Sequence, residues 1–151
     1  MRLLDGAGAI TPPVRALDGL TGEQAATRPH GCPHNIAEVV AHLAFWQDWV
    51  LERAGGADNA LPASAAAGWP AAGEHDWEAV RERFLVGIER CKALALQPGR
   101  LDDDFTWGKS VNALGYALMD TAMHNAHHLG QVITLRQALG AWPPPGGGVS
   151  W

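Results

Sequence analysis

Basic clusters, long apolar runs and cysteines are all scarce in this chain, and each scarcity excludes a class of protein. Lysine and arginine number 11 against 16 aspartates and glutamates, for a net charge of -5, and they nowhere gather into a patch. Without that electrostatic footprint for a phosphate backbone, nucleic acid is not an expected partner. No window reaches the roughly 18 uncharged apolar residues that a membrane span requires, and the opening MRLLDGAGAITPP lacks the continuous apolar stretch of a secretory signal. The expected location is therefore the cytoplasm, with no membrane partner. Cys32 and Cys91 are the only cysteines, which without a signal segment fits reduced thiols better than a disulfide framework. Cys91 lies on an apolar helical stripe and reads as a small core residue. A strand-associated GxGxxG, a GxxxxGK[ST] loop, a GxSxG elbow and HExxH are also missing. The Gly146 to Gly148 run follows three prolines and precedes no helix, so it is no phosphate cradle.

What remains is helical. At 151 residues the chain is read as a single domain spanning 1–151, with residues 141–151 a Pro/Gly-rich tail. Four segments carry the helical period. In the first, Ile10, Val14 and Leu17 recur at helical spacing, but Pro12 and Pro13 must sit at a helix start or kink. The second opens at Asn35, whose side chain caps the first turn while Glu38 completes a capping box, and runs from Ile36 to about Ala54, where Gly55 and Gly56 stop it. The third opens at Asp76 and aligns Trp77, Val80, Phe84, Ile88, Cys91 and Ala95 on one stripe before Pro98 and Gly99. The fourth is capped by Ser110 and carries Val111, Leu114, Leu118, Thr121, Asn125, His128, Val132, Leu135 and Leu139, ending at Gly140. Strands are at most short pieces between Leu101 and Lys109. The expected class is all-α, most simply an antiparallel four-helix bundle, with a long Gly/Ala/Pro-rich crossover between helices two and three that covers one end. The tail, with Trp142 and Trp151, is expected to pack back on the body.

The middle of the fourth segment reads Asp120, Thr121, His124, Asn125, His127, His128 and Gln131, a polar concentration between apolar ends. A spacing of four rises about 6 Å and returns to the same face, so His124 and His128 can bind one ion together. His42 falls between Val39 and Trp46 on the inward stripe of helix two and offers a third imidazole. Singly, His42 also fits a hydrogen-bonded core residue, and the pair also fits a solvated face. Jointly, three core-facing imidazoles are costly to bury without a common partner. Such a three-nitrogen site suits zinc, with nickel or iron as alternative occupants, and leaves positions open for water or substrate. His127 lies about 100° away around the helix and is assigned to the surface or an interface. His30, His34 and His75 fall in loops or caps. Asp120 and Gln131 are candidates for orienting the ligand imidazoles, with exposed helix polar residues as the competing reading. Asp120 is also the one candidate general base. Trp46 and Trp49 flank the site, as core or as pocket wall. Apolar Phe45, Val50 and Leu51 lie off the His42 line and suggest a homodimer, unless the loop near Trp69 and the tail cover them.

NIAEVVAHLAFWQDWV, with its single inward His42, and HNAHHLGQVITLRQALG, with His124, His128, Gly130, Gln131 and Arg136, resemble the two signatures of the DinB-like metal-binding proteins. The resemblance takes in PHNIAEVVAHL, WGKSV and the terminal WPPPGGGVSW. It implies the helical bundle, the three histidine ligands and a tendency to dimerise. For activity it implies a metal-dependent S-transferase using a low-molecular-weight thiol such as bacillithiol, mycothiol or glutathione. The alternatives are a metal-dependent hydrolase or a non-catalytic metal-binding stress-response protein. Some transferases of this kind carry a carboxylate where this chain has His124.

Overall fold

A computed structural model describes residues 10–147; Gly148 and Trp151, named above, lie outside that range. The chain is mostly helical, with one small sheet. In order it forms α1 (Pro13–Leu17), α2 (Gly22–Ala26), α3 (Ile36–Ala54), α4 (Trp77–Ala95), β1 (Asp104–Trp107), β2 (Ser110–Ala113) and α5 (Leu114–Ala138), with single 3-10 turns at Ala65–Gly68, Glu74–Asp76 and Arg100–Asp102.

The bounds of α3 follow from local chemistry. Asn35 Oδ1 accepts from the Glu38 N–H at 2.7 Å while Glu38 Oε2 accepts from the Asn35 N–H at 3.0 Å, which satisfies two of the backbone donors that a helix start leaves open. Asn35 Nδ2 also donates to the carbonyls of Ala26 and Ala72, tying the segments before and after α3 to its first turn. α3 packs along both α4 and α5, and the core they share includes Ile36, Leu43, Phe84, Leu114 and Val132. Trp77, at the start of α4, is fully buried and donates its indole N–H to the Leu20 carbonyl.

Two expectations need correction. Ser110 does not cap the last helix: it is the first residue of β2, which pairs antiparallel with β1 in the register Asp104↔Ala113 to Trp107↔Ser110. α5 begins only at Leu114, and Val111 is exposed on the hairpin. The two-residue turn places Gly108 at φ +60°, where glycine meets no Cβ penalty. The segment around Pro12 and Pro13 is a single turn, with Pro13 at its first position and Leu17 buried but Ile10 and Val14 exposed. α2, capped reciprocally by Thr21 and Gln24, is a further single turn.

The apolar residues behind the dimer expectation are covered within the chain: Val50 and Leu51 are buried and Phe45 half-buried. The described part of the tail does pack back. The Trp142 ring lies under the Arg136 guanidinium, Pro144 is buried, and the Gly147 carbonyl accepts from Arg15 Nη2 at 2.6 Å.

Candidate metal centre

α3 carries His42 and α5 carries His124 and His128 to one point. The ring centroids are 4.9 Å apart for His42 and His124, 4.7 Å for His42 and His128, and 4.5 Å for His124 and His128. Nε2 of His42 lies 3.1 Å from Nε2 of His124, and one ring nitrogen from each of the three falls within 4.8 Å of the others. Two nitrogens bound at about 2.0–2.1 Å to one tetrahedral ion stand roughly 3.3 Å apart, so the cluster could hold a metal ion after small side-chain adjustment.

The far side of two rings is already engaged. His42 Nδ1 lies 2.6 Å from the Gly68 carbonyl, and because a carbonyl can only accept, Nδ1 carries the proton and Nε2 keeps its lone pair. His128 Nδ1 stands in the same relation to Gln131 Oε1 at 2.8 Å. Gly68 sits close against Trp46: a Cβ there would meet the indole at 3.1 to 3.3 Å, so the ring would have to give by a few tenths of an ångström. All three imidazoles titrate below the usual histidine value. Burial is the main cause in each case, and neighbouring imidazoles add to it. His124 is pushed down to about 4. The Gly68 and Gln131 hydrogen bonds oppose the shift at His42 and His128 respectively. Around neutral pH the rings are uncharged, the form in which imidazole ligates a metal.

The other residues singled out in the sequence fall as follows. Gln131 touches His128 and also lies 3.4 Å from His127, which is exposed. Asp120 is exposed and lines a recess of about 270 Å³ with His124, Trp46 and Trp107, but makes no hydrogen bond to His124. Trp49 is buried, and Trp46 is half-buried on the recess wall. His30 and His75 are exposed and stand outside the cluster.

Sequence reasoning missed the neighbours that the long loop brings in. Trp69 stacks on His42 with centroids 3.8 Å apart and planes 9° apart, and in the same way on His34 at 3.9 Å and 9°. On that side lies a larger recess, about 790 Å³, bounded by Cys32, His34, Trp69, His127 and Gln131 over an apolar floor of Val39 and Leu135. A lone tryptophan in a Gly/Ala-rich loop was the available signal, but it gives no partner.

The domain is thus mostly helical, with three converging imidazoles, two of them oriented by hydrogen bonds, that could hold a metal ion. Residues 14–132, which include all three histidines, match the DinB superfamily, and the chain belongs to that family. No curated protein and no solved structure matches it significantly.

Proposed function

We propose that the chain is a metal-dependent DinB-like protein, an antiparallel four-helix bundle in which the N-terminal turns take the place of the first long helix and the loop after α3 is the crossover. One divalent transition-metal ion, zinc first and nickel or iron as alternatives, is held by His42, His124 and His128. The observation that carries this reading is the convergence of three neutral imidazoles, two of them with the opposite nitrogen tied to a protein oxygen. The ion, when bound, supplies Lewis acidity that lowers the pKa of a thiol or water reaching it.

The chemistry we favour is S-transfer from a low-molecular-weight thiol (bacillithiol, mycothiol or glutathione) to a small electrophile. The 790 Å³ recess supports this reading, since it has room for such a thiol and its wall includes Trp69, in contact with His42. In that reaction Gly68 and Gln131 orient the ligand rings, and Trp69 screens His42 from water. One observation favours hydrolysis as a second reading: Asp120 shares a recess with His124 and can accept a proton there. A non-catalytic, cytoplasmic metal-binding stress protein is the third. Homodimer formation now rests on the family resemblance alone. Assaying metal-loaded protein with the three thiols against model electrophiles, and separately against esters and amides, tests the assignment. Thiol-dependent turnover that is lost in His42→Ala supports S-transfer. Ester or amide cleavage lost in Asp120→Asn supports hydrolysis, and silence in both panels supports the third reading.

A further inference from the structure

The two sides of the His cluster differ in chemistry. The larger recess is bounded by imidazoles, an amide and a thiol. The smaller one, on the hairpin side, is walled by two indoles and a carboxylate: Trp46, Trp107 and Asp120, with His124 at its inner end. A further hollow of about 210 Å³ shares Trp107 and Asp120 with it and adds Tyr116, Ser110 and Asn112. Together they form a groove along the hairpin.

The indoles and the carboxylate that line this groove suit a positive guest. Trp46 and Trp107 stack with centroids 5.7 Å apart and planes 18° apart, and both contribute to the wall. The faces of indoles carry the negative lobe of the ring quadrupole, and Trp is the strongest aromatic partner of a cation. Asp120 is exposed and has no ion-pair partner among the described residues. No lysine or arginine lines either hollow. Near the hairpin, exposed Asp102 and Asp104 are set against Lys109 in its turn and Arg53, whose Nε donates to the Thr106 carbonyl, so the charge of the groove itself is that of Asp120.

We propose that this groove binds a small organic cation against the stacked Trp46–Trp107 indole pair and the carboxylate of Asp120, the guest being an alkylammonium or quaternary ammonium group. A metal ion is a poor occupant, because a single carboxylate between aromatic walls cannot replace its water shell. A methylated ammonium is a good one: its charge is spread over apolar methyl groups that the indoles can cover. The groove ends at His124, so whatever the cation is attached to is presented to the proposed metal centre. That consequence, the substrate class of the site, rests on the metal reading; cation binding itself does not.

The two are separated by titrating the full-length chain, both as purified and after chelation, with choline and with its uncharged isostere 3,3-dimethylbutan-1-ol. The indole N–H resonances in ¹H–¹⁵N spectra report binding, and Trp107→Leu and Trp46→Leu assign them. We expect choline to shift the Trp46 and Trp107 signals saturably in both preparations, with the isostere about tenfold weaker. Asp120→Asn should reduce choline binding towards the level of the isostere, and Asp120→Glu should retain most of it. Equal binding of choline and the isostere, unchanged choline binding in Asp120→Asn, or no shift at either indole would overturn the proposal. Choline binding by a chelated chain that takes up no zinc, nickel or iron when these are added back would reject the metal reading while leaving this one standing, and metal uptake without choline binding would do the opposite.

Discussion

At the scale of single residues, the candidate centre depends on which nitrogen of each ring is free. Gly68 and Gln131 supply acceptors to Nδ1 of His42 and His128, so both rings are fixed in the tautomer that points Nε2 at the shared space. The His124 and His128 pair is legible from a spacing of four, and His42 from its place on an apolar stripe. The Gly68 contact is not legible, because it joins residues 26 apart through a loop with no periodicity. The cysteines show the same contrast of environments. Cys91 is fully buried on α4, and burial pushes its thiol up to about 12, whereas Cys32 is half-buried at the rim of the larger recess. A thiol raised this far stays protonated at every pH well below about 12, and only the thiolate attacks a disulfide reagent. Ellman's reagent at pH 8 should therefore titrate Cys32 in the folded protein and both cysteines in guanidinium. Rapid modification of two thiols in the folded chain would contradict the burial of Cys91.

Among the elements, α3 and α4 were legible nearly to the residue because their ends are written in local chemistry. Asn35 and Glu38 cap one, Gly55 and Gly56 stop it, and Asp76 precedes the other. The Ser110 expectation failed because serine before an apolar run fits a cap as well as a strand start. The local evidence for the strand was Gly108-Lys109, a two-residue turn between Phe105 and Trp107 on one side and Val111 on the other. α2 carries the same capping-box signal as α3, in Thr21 and Gln24, but it is too short to show a period. What secures the short N-terminal elements comes from the far end of the chain. Arg136, 1% exposed on α5, donates to the carbonyls of Ala16 at 2.6 Å, Asp18 at 2.9 Å and Ala141 at 3.0 Å. One guanidinium thereby holds the α1 segment and the tail to the last helix, a geometry that the three donors of a lysine ammonium do not reproduce. Arg136→Met should lower the unfolding free energy by on the order of 3 kcal/mol, since it leaves three carbonyls without their donor, and Arg136→Lys should recover only a minor part. Urea titrations of the three proteins check this; a loss below about 0.5 kcal/mol for Arg136→Met would show that water replaces the guanidinium.

Over the whole molecule, the helices bring polar groups from opposite ends of the sequence into one layer. Some of these are not fully satisfied: both amide atoms of Gln47 and of Asn125 are buried without a hydrogen-bond partner. The helical class and the three histidines could be read from periodicity because α3 and α5 are long and regular. The recesses on either side could not, since the loop after α3 and the hairpin before α5 build their walls through contacts that no short-range pattern encodes. The central claim is that His42, His124 and His128 act as one ligand set and not as three separate core residues. Elemental analysis of untagged protein, purified in parallel as wild type, His42→Ala and His128→Ala, tests it most directly. The account predicts close to one equivalent of zinc, nickel or iron per chain in the wild type and a loss of most of it in each variant, with the helical circular dichroism retained. Equal metal content in all three proteins would contradict it.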